Sequence, residues 1–549
     1  MPKKFLLTTF SGYPRGLSFF CVDIGLLTLA KVIRDNGNLV KIIDFNNSNL
    51  LLNTLSCDES NFYEKSLKKS VNNDSFEKLI ELKSELENEF YTRAKNIIFN
   101  KLDQEIAEQN IDVLGVKLWL GPSLPLFTDV LKTLKTKYPK LFIIAGGPSV
   151  TAIGPDILPY LKCMDAVAFG DGEPVFETIN DFLDGMINLS DIPNIWFNDE
   201  ANGFTPSAKQ TFGSFASSLA PVMTEDIYPG LIAEKINLTL IEDSRGCSFA
   251  CPFCPHSASS LGQQRQRAVS DVISNIKDAN SELGTTVFRF TGSCPFPKFF
   301  NGFASEIEPN RFYFSSFFHP GYQHLVDFTR LHKSGFRAFL LGIESVDQIN
   351  IKTFLKRKML LSDMALLGNK LVNTNIFASL SFILPQIHPD YSAFKFFLNT
   401  YPFHKNMSSI LMSFPTVYPG TPWWKNPDYY SIDILNKNAY LQNIIFKTNH
   451  NEFLTLSERS NTKLWNEFAN TRQLIQNNNI SIDINDETAL LALSIGLEPK
   501  ALATYQNKLL NTFNLAAFNK LRQDVNFILA QKTTQPTHNI DNLIASVAA

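Results

Sequence analysis

Short apolar runs and amphipathic stretches alternate along the first 185 residues of the chain. The apolar runs predict strands, and the stretches with a helical period predict helices between them. A polar segment rich in Asn, Lys and Glu, residues 46–110, interrupts this rhythm as an insertion of helical character. The alternation predicts an α/β domain over residues 1–185 with a doubly wound parallel sheet, whose ligand lies at the carboxyl ends of the strands. The predicted strands are residues 5–9, 39–43, 113–118, 141–145 and 165–169, with helices at 24–33 and 124–134.

A second alternating series follows residues 186–235, whose Ser, Pro, Asn and Gly content predicts a linker. Six strand-helix repeats over residues 236–430 predict a partial (β/α)6 barrel of the TIM type, with its chemistry on the loops that follow the strands. Residues 431–549 are predicted to be a helical C-terminal region with a loose tail and no catalytic motif. The predicted barrel strands are residues 236–241, 286–290, 312–316, 338–343, 376–383 and 409–414, and the C-terminal helices include residues 432–445 and 488–521.

Composition narrows the class of protein. A chain of 549 residues with 44% apolar and 19% charged residues predicts several globular domains rather than disorder. A net charge of -3 with mixed signs gives no field that would hold nucleic acid, so no nucleic acid partner is expected. Gly12 and Pro14 interrupt the apolar N-terminal run, and no window reaches the roughly 18 apolar residues of a membrane span. We therefore expect a cytoplasmic protein.

The cysteines carry the first chemical signal. Three of the seven, Cys247, Cys251 and Cys254, lie within eight residues, directly after the first predicted barrel strand. An odd number of clustered thiols is typical of a reduced compartment in which cysteines bind metal. At spacings of four and three, three thiolates can bind three irons of a [4Fe-4S] cubane and leave the fourth iron open. Gly246 would permit the turn out of the strand, and Phe253 would shield the cluster from water.

Two other interpretations of these thiols stay open at this point. They could be buried packing residues, although cysteine is scarce elsewhere in the chain. They could also bind zinc with His256 as the fourth ligand, which would make the protein a non-catalytic, zinc-stabilised binding protein. Structural zinc usually takes cysteine pairs from two separated knuckles, and the chain has no second pair.

The cysteine segment resembles the CxxxCxΦC signature (Φ aromatic) of radical S-adenosylmethionine enzymes, which also follows the first barrel strand in that family. Leu341-Gly342-Ile343-Glu344-Ser345 is similar to the fourth-strand segment of these enzymes, and Lys356-Arg357-Lys358 follows it in the usual place. Tyr418-Pro419-Gly420-Thr421 resembles the motif after the sixth strand. The resemblance covers most of residues 5–425. It implies a [4Fe-4S] cluster, S-adenosylmethionine with Glu344 in contact, and an external electron donor of the flavodoxin or ferredoxin type.

Two glycine-rich loops extend the resemblance to the N-terminal domain. Gly146-Gly147-Pro148 and Gly170-Asp171-Gly172-Glu173-Pro174 are similar to loops of the cobalamin-binding-like domain that precedes the barrel in one branch of the family. The resemblance implies cobalamin contacts from Gly146, Gly147, Gly172 and Glu173. The DxHxxG motif that supplies a histidine to cobalt is absent, and no histidine precedes His256. The alternative remains that the domain keeps this fold without binding the cofactor. Trp119 could face a ring ligand or fill the core.

Several further residues are candidates or departures from the family pattern. Cys294 follows the second barrel strand, where it could donate a hydrogen atom to a substrate radical or only pack. His319 follows the third strand, where the family often has an arginine directed at the carboxylate of S-adenosylmethionine. Ile383-Leu384-Pro385-Gln386 departs from the usual Gly-Leu-Pro-Gly form. The other thiols are expected to be packing residues: Cys21, Cys57 and Cys163.

The resemblance implies an enzyme that forms a 5'-deoxyadenosyl radical and uses cobalamin to transfer a methyl group to an unactivated carbon of a peptide or small-molecule natural product. A cobalamin-independent hydrogen-transfer enzyme, such as a peptide epimerase in which Cys294 quenches the product radical, is the first alternative. The zinc-stabilised binding protein is the second.

Overall fold

The computed structural model describes most of the chain. Cys57, the Lys356-Arg357-Lys358 segment and the predicted tail lie outside the described residues. The described residues are 2–55, 76–199, 203–207, 210–213, 221, 223–260, 262–353, 361–403, 407–448 and 450–532.

The chain forms two compact units, neither of which is one continuous stretch of sequence. The first comprises Met1–Ile236, Ile444–Thr448 and Gln506–Gln523. The second comprises Asn237–Asn443, Asn449–Tyr505 and Asp524–Ala549.

The first unit is built on a seven-stranded sheet with the strand order β2-β1-β3-β4-β5-β6-β7. Strands β1 to β5 are parallel, and helices connect them, so the predicted doubly wound parallel sheet is confirmed. Its strands are β1 (Lys4–Thr9), β2 (Leu39–Asp44), β3 (Val113–Lys117), β4 (Phe142–Gly146), β5 (Ala166–Ala168), β6 (Ile195–Asp199) and β7 (Gly203–Pro206).

The helices of this part of the chain follow the predicted pattern. The described part of the 46–110 insertion is helical, and most of it is one helix of 34 residues. Buried residues four positions apart along that helix, Phe90, Ala94 and Ile98, form the apolar stripe that packs against the unit. The helices are α1 (Ile24–Asp35), α2 (Ser48–Thr54), α3 (Phe76–Gln109), α4 (Ser123–Lys137), α5 (Pro148–Ile153) and α6 (Glu173–Leu183).

The structure differs from the predicted irregular linker over residues 186–235. Strands β6 and β7 form an antiparallel hairpin there, and β6 pairs with β5 at the edge of the sheet. The strands are short and flanked by turn-forming residues, so their sequence shows little strand pattern by itself. Pairing with an existing sheet edge supplies the backbone hydrogen bonds that make them strands.

A buried ion pair anchors the end of the same segment. The side chains of Lys235 and Asp44 are 3% and 0% exposed, and they pair with each other. Lys235 Nζ also donates to the Asn46 carbonyl at 2.7 Å, and the Tyr228 hydroxyl donates to Asp44. The segment is therefore fixed beneath the end of β2 by a fully paired buried charge.

The second unit contains a parallel seven-stranded sheet with the order β18-β15-β14-β13-β12-β11-β8. Six of these strands correspond to the predicted barrel strands, and the predicted partial barrel is confirmed. The seventh, β18, is a two-residue strand from the C-terminal region that pairs with β15. The strands are β8 (Leu238–Ile241), β11 (Val287–Phe290), β12 (Tyr313–Phe318), β13 (Phe336–Glu344), β14 (Phe377–Ile383), β15 (Ser408–Ser413) and β18 (Ser481–Ile482).

Helices and two small hairpins complete the barrel region. The hairpin strands are β9 (Ser244–Gly246) with β10 (Gln264–Gln266), and β16 (Ile432–Ile434) with β17 (Leu454–Leu456). The helices are α7 (Pro255–Ser259), α8 (Val269–Leu283), α9 (Pro297–Glu306), α10 (Phe328–Ser334), α11 (Gln348–Thr353), α12 (Leu361–Asn373), α13 (Tyr391–Thr400) and α14 (Pro422–Lys425).

Phenylalanines fill the core on the outer face of the barrel sheet, as their abundance predicts. Phe290 on β11 makes edge contacts with Phe303 on α9 at 5.2 Å and with Phe336 on β13 at 5.7 Å between ring centroids. The residues that alternate with them are small or polar, among them Ser315 and Ser379. Larger side chains, such as Arg289 and Phe317, lie on this inner face as well.

The C-terminal region is mostly helical, as predicted, with one correction. Residues 432–434 were expected in a helix but form strand β16, because their alternating Ile-Asp-Ile pattern pairs across the hairpin with β17. The predicted helical stretch 488–521 is divided among three helices. The helices are α15 (Lys437–Phe446), α16 (Asn461–Asn477), α17 (Asp486–Ile495), α18 (Pro499–Asn511) and α19 (Leu515–Lys532). Within the described ranges, no helix has the length and apolar character needed to cross a membrane.

Helix α17 packs against β11, β12, β13 and β14 and is buried along nearly its whole length. Its first residue, Asp486, is 1% exposed and accepts from Arg289 Nε and from the Ser315 hydroxyl, both at 2.9 Å. The Ser379 hydroxyl donates to the Ile484 carbonyl just before the helix at 3.0 Å. The polar inner positions of the strands are thus satisfied by the C-terminal region, which closes part of the barrel interior.

Substitution of Asp486 by Ala should destabilise the second unit by about 2 kcal/mol, because the Ser315 hydroxyl loses its buried acceptor and the Arg289 guanidinium keeps only the more exposed Glu487 carboxylate at 3.2 Å. Urea unfolding would measure this change. The matched control is Arg472→Ala, which removes an exposed ion pair with Asp483 and should cost about 0–1 kcal/mol. Equal effects of the two variants would contradict the role assigned to Asp486.

Candidate functional site

The cysteine segment lies where the barrel chemistry is expected, directly after β8 and the short strand β9. β9 pairs antiparallel with β10, so the chain leaves the sheet, turns through the three cysteines and α7, and returns beside its own start. Cys247 is buried, and Cys251 and Cys254 are half-buried. Cys254 lies at the N-terminus of α7, and its N–H donates to the Cys251 carbonyl at 3.2 Å.

Gly246 controls the exit from β9. Its φ is +77°, and a Cβ atom at this position would lie 1.9 Å from the Gln263 carbonyl oxygen on the opposite strand. A side chain would therefore meet both the left-handed backbone penalty and a backbone atom that cannot move aside. The turn that Gly246 was predicted to permit is present, and only glycine fits it.

One cavity of about 790 Å³ collects the thiols and the ends of the barrel strands. Cys247, Cys251 and Cys254 all line it, with Cys294 and Glu344. Its volume is that of a site for a cofactor or small molecule. The remaining lining residues come from the cysteine loop and from the ends of β11 to β15: Phe249, Phe253, Pro255, His256, Ser257, Ser293, Phe317, Phe318, His319, Leu340, Gly342, Ser381, Ile383, Ser413, Phe414, Thr416 and Tyr418.

The donor set of this cavity fits an iron-sulfur cluster held by three thiolates. Three cysteines from one short loop face a common space that also has room for a ligand on an open iron. Among the described residues, no three histidine, cysteine, aspartate or glutamate side chains are grouped as ligands of one metal ion. A cubane places each thiolate on a different iron, so its cysteines do not converge on a single point.

His256, the residue considered as a fourth zinc ligand, also lines the cavity. Burial lowers its pKa, and a hydrogen bond with the backbone of Gly246 partly offsets this shift. The histidine is therefore connected to the turn that precedes the cysteines.

Aromatic packing holds the cysteine loop from the side of the last barrel strand. Phe253 lies between two of the cysteines and contacts the fully buried Trp423 at 5.7 Å between ring centroids. The backbone N–H of Trp423 donates to the Pro252 carbonyl at 3.1 Å. Trp423 lies two residues after the Tyr418-Pro419-Gly420-Thr421 motif, in which the Thr421 hydroxyl donates to the Tyr418 carbonyl at 2.6 Å. The motif thus supports the loop through the neighbouring tryptophan.

Glu344 ends β13 in an unusual backbone conformation. Its φ is +60°, and the pairing register with β14 shifts between Gly342 and Glu344. Such a bulge changes the direction of a side chain relative to a regular strand. Gln386, the residue that departs from the family pattern, donates from Nε2 to the Glu344 carbonyl at 3.0 Å. Gln386 thus donates a hydrogen bond to the backbone of Glu344, the residue predicted to contact S-adenosylmethionine.

His319 contacts the cysteine loop directly. Its ring stacks on Phe249, with centroids 4.3 Å apart and planes 7° from parallel. Its Nδ1 accepts the N–H of Gly321 at 3.1 Å, so in the neutral ring the proton is on Nε2. Tyr322 packs against both rings. The histidine therefore lines the cavity as a donor and also fixes the loop by stacking.

Cys294 lies in the cavity at the end of β11 and is 5% exposed. Its carbonyl accepts from Gln264 Nε2 at 2.7 Å, and Gln264 Oε1 accepts from the Ser248 hydroxyl at 3.1 Å. Burial raises the pKa of Tyr322 to about 12, with smaller contributions from Cys294 and Cys247. One glutamine on β10 thus connects the Cys294 loop to the cluster loop.

Asp243, three residues before the first barrel-strand turn at Gly246, supports the site and was not predicted from the sequence. It is fully buried, and its two carboxylate oxygens accept from the Gly292 N–H and the Ser244 hydroxyl, each at 2.8 Å. Burial raises its pKa to about 6 against these hydrogen bonds. A Cβ on Gly292 would lie 2.0 Å from the Ser244 hydroxyl oxygen. The position of Asp243 as an acidic residue at the end of an apolar strand could have suggested a role. Its partner Gly292, however, follows a different strand, so the sequence alone does not pair the two residues.

The first unit brings its predicted residues to the carboxyl edge of its own sheet. Gly146 ends β4, Gly147 precedes α5 with φ +113°, and Gly172 precedes α6. A Cβ on Gly147 would lie 3.1 Å from Lys117 Cγ. Glu173 is 3% exposed, and its carboxylate lies against Gly213, so it is enclosed by protein rather than open to solvent.

Trp119, at the end of β3, faces its own sheet edge. Its indole N–H donates to the Thr9 hydroxyl at 2.9 Å, and Lys117 Nζ lies 4.9 Å from the ring centroid. Lys117 in turn pairs with Asp23 at 2.6 Å. The remaining thiols of this unit are half-buried at Cys21 and Cys163, and burial raises the pKa of Cys163.

Solved structures with the same architecture were found. A radical S-adenosylmethionine methyltransferase, TsrM from Kitasatospora setae, with cobalamin and a [4Fe-4S] cluster bound, superposes with a TM-score of 0.61 at 12% identity over 95% of this chain and 100% of that chain. The apo form of the cobalamin-dependent S-adenosylmethionine radical enzyme OxsB superposes with a TM-score of 0.62 at 12% identity over 99% of this chain and 74% of that chain. The chain has the fold of cobalamin-dependent radical S-adenosylmethionine enzymes. The resemblance is thereby confirmed for the fold.

One curated protein is also similar in sequence. An uncharacterized methyltransferase of Pyrococcus horikoshii is 24% identical over 199 residues, which cover 36% of this chain and 43% of that protein. The similarity thus spans less than half of the length of that relative. No family model matches the chain.

Substitution of Gly246 by Ala should remove bound iron from the anaerobically reconstituted protein, because the new Cβ displaces the Gln263 backbone and moves the cysteines apart. Iron content and circular dichroism would measure the loss and the retained fold. Gly262→Ala is the matched control, since Gly262 in the same hairpin also has a positive φ (+73°) but nothing lies within 4 Å of the added Cβ. Full iron content in Gly246→Ala would contradict the steric argument.

The Asp243→Asn variant should become more stable relative to the wild type as the pH rises from about 4 to about 6. The folded protein binds the Asp243 proton more tightly than the unfolded chain does. The stabilisation by this bound proton is therefore complete at a pH below the pKa of the unfolded chain, and it is lost as the pH rises to the folded pKa of about 6. The difference should amount to about 1.4 kcal/mol for each pH unit between the two values. Denaturant unfolding at several pH values measures it, and a pH-independent difference would contradict the burial of a titrating carboxyl.

Proposed function

We propose that this protein is a radical S-adenosylmethionine enzyme that uses a [4Fe-4S] cluster and cobalamin to transfer a methyl group to an unactivated carbon of a peptide or small-molecule natural product. The observation that carries the proposal is the single cavity in which three thiols from one loop meet the carboxyl ends of the barrel strands. The same chain carries a doubly wound domain with glycine loops at its own carboxyl edge. Proteins with this combination of folds include TsrM and OxsB.

The bound groups would supply the difficult chemistry: one electron to cleave S-adenosylmethionine and a methyl group carried on cobalt. The chain would supply position. Cys247, Cys251 and Cys254 would hold three irons, and Glu344 and His319 would offer an acceptor and a donor to the charged ends of the methionine part. The electron has to come from outside, so a flavodoxin or ferredoxin type of donor is part of the proposal.

The cavity lining favours polar, charged ligands next to the cluster loop and apolar ones farther away. Among its described residues it contains one carboxylate, Glu344, two histidines and no lysine or arginine. Leu340, Ile383 and Phe414 provide an apolar wall on the later strands. A substrate carbon held against this wall would be shielded from water, which a radical intermediate requires.

A second candidate function is hydrogen transfer without cobalamin, as in a peptide epimerase. The observation in its favour is the position of Cys294, which lines the same cavity as the cluster cysteines and is nearly buried. A thiol there could donate its hydrogen atom to a substrate radical.

Substitution of Cys251 by Ala should abolish the visible absorbance of the cluster and the formation of 5'-deoxyadenosine, because one iron loses its thiolate. The rest of the chain should stay folded. Iron, acid-labile sulfide and 5'-deoxyadenosine would be measured after anaerobic reconstitution. Cys163→Ala, which removes a half-buried thiol of the first unit, is the matched control and should keep all three. Zinc in place of iron and sulfide in the wild type would instead support the zinc-stabilised binding protein.

Substitution of Cys294 by Ser separates the two candidate functions. If the protein is a cobalamin-dependent methyltransferase, Cys294→Ser should keep 5'-deoxyadenosine formation and cobalamin stoichiometry close to those of the wild type. A hydrogen-transfer enzyme would still cleave S-adenosylmethionine but would lose product formation, and the wild type would bind no cobalamin. Corrinoid quantification on protein purified with cobalamin supplied, together with product analysis, distinguishes the cases.

A further inference from the structure

A buried arginine from the C-terminal region contacts the loop that follows β14. The Arg459 side chain is 7% exposed, and its Nη2 donates to the carbonyls of Gln386 and Ile387, to the latter at 2.8 Å. Its Nε donates to the Leu456 carbonyl at 3.1 Å. One guanidinium therefore joins the end of β17 to the loop after β14 through backbone acceptors of both segments.

A carboxylate on α16 compensates the charge of this arginine. Arg459 Nη1 donates to Glu467 Oε2, and the Tyr391 hydroxyl donates to the same oxygen at 3.1 Å. A buried guanidinium needs such a partner, because an unpaired charge away from water is costly. The ion pair fixes the plane of the guanidinium, so that its other donors stay directed at the backbone of the loop.

The turn that carries Arg459 has an unfavourable backbone. Leu456 and Arg459 pair across a two-residue turn, and its central residues, Ser457 and Glu458, have φ of +47° and +62°. Glycine or asparagine is usual at such positions, and other residues adopt this conformation at a cost. The Ser457 hydroxyl donates to the Ile387 carbonyl at 2.9 Å. The turn is therefore fixed against the same loop that Arg459 contacts, and these contacts offset its local cost.

Gln386 connects this loop to Glu344. Its Nε2 donates to the Glu344 carbonyl at 3.0 Å and also to the Ile383 carbonyl. Glu344 has φ +60° at the bulge that ends β13, and it lines the cavity of the cluster cysteines. A non-glycine residue keeps such a conformation only where its surroundings hold it. A chain of hydrogen bonds thus runs from Glu467 through Arg459 and Gln386 to the backbone of Glu344, all within the second unit.

We propose that Arg459 is a positioning residue for S-adenosylmethionine: it holds the Gln386 loop, which in turn holds Glu344 in the orientation that contacts the bound molecule. This proposal rests on the function proposed above, in which Glu344 offers an acceptor to the charged end of the methionine part. Charge-assisted hydrogen bonds depend on distance and direction, so a displaced carboxylate binds more weakly. The proposal gives the C-terminal region a part in cofactor binding, although no motif contains both Arg459 and Glu344.

A double-mutant cycle on S-adenosylmethionine binding tests the proposal. The full chain is reconstituted anaerobically, and Kd is measured by equilibrium dialysis without reductant for the wild type, Glu344→Gln, Arg459→Gln and the double variant. Iron content and circular dichroism report the cluster and the fold of each protein. Gln386→Met interrupts the chain of hydrogen bonds with a side chain of similar size. Arg472→Gln, which removes an exposed ion pair with Asp483 on the same helix as Glu467, is the matched control.

The expected result is a Kd that rises about 10-fold in Glu344→Gln, Arg459→Gln and Gln386→Met, with unchanged iron content. The double variant should bind no more weakly than Glu344→Gln, because Arg459 acts through Glu344. Arg472→Gln should bind like the wild type. If Arg459→Gln loses its iron or its fold, the cycle of Gln386→Met with Glu344→Gln decides by the same criterion.

Two further outcomes separate this proposal from the proposed function. Multiplied effects in the double variant, or a wild-type Kd in Arg459→Gln and Gln386→Met or in Glu344→Gln, would overturn the positioning role and leave the class of enzyme intact. A wild type that holds the cluster but binds no S-adenosylmethionine would overturn the proposed function itself, and the positioning role with it.

Discussion

The left-handed turn at Gly246 is the constraint on which the candidate site depends. Three cysteines can hold one cluster only if the chain that carries them leaves the barrel sheet and folds back over a short distance. The β9–β10 hairpin makes that return, and its two strands approach so closely at Gly246 that a single Cβ would collide with the opposite backbone. The direction of the loop is set by this turn. The contacts from Trp423, His319 and Asp243 then stabilise the loop in that direction.

Asp243 and Gly292 show how the turn is tied to the sheet. Asp243 carries its carboxylate into a fully buried position, where the N–H of Gly292 from the next strand is a partner. Burial of the Asp243 carboxyl disfavours its ionised form. The hydrogen bonds from Gly292 and Ser244 favour the ionised form but offset the effect of burial only in part. Such a group fixes the relative position of two strand ends, because any displacement would leave buried polar atoms without partners.

The C-terminal region contributes more than its sequence suggested. α17 satisfies the polar inner positions of β11 and β12 through Asp486, which accepts from Arg289 and Ser315. Residues Ile444–Thr448, from the same part of the chain, belong to the first unit. The last quarter of the sequence therefore adds strand β18 to the barrel sheet and a short packed segment to the first unit.

The fold class and the cysteine signature could be predicted from the chain without its structure. Strand-helix alternation is a local property, and so is the spacing of Cys247, Cys251 and Cys254, because each depends on residues a few positions apart. The positions of Glu344 and Cys294 at strand ends could be predicted for the same reason. The contacts between distant residues became visible only in the folded chain: Gly292 with Asp243, Gln386 with Glu344, and Asp486 with Arg289. It also decided the pairing of β6, β7 and β16, whose short strands are stabilised by their neighbours rather than by their own pattern. These contacts come from segments far apart in the chain, and no local periodicity specifies which segments a fold will bring together.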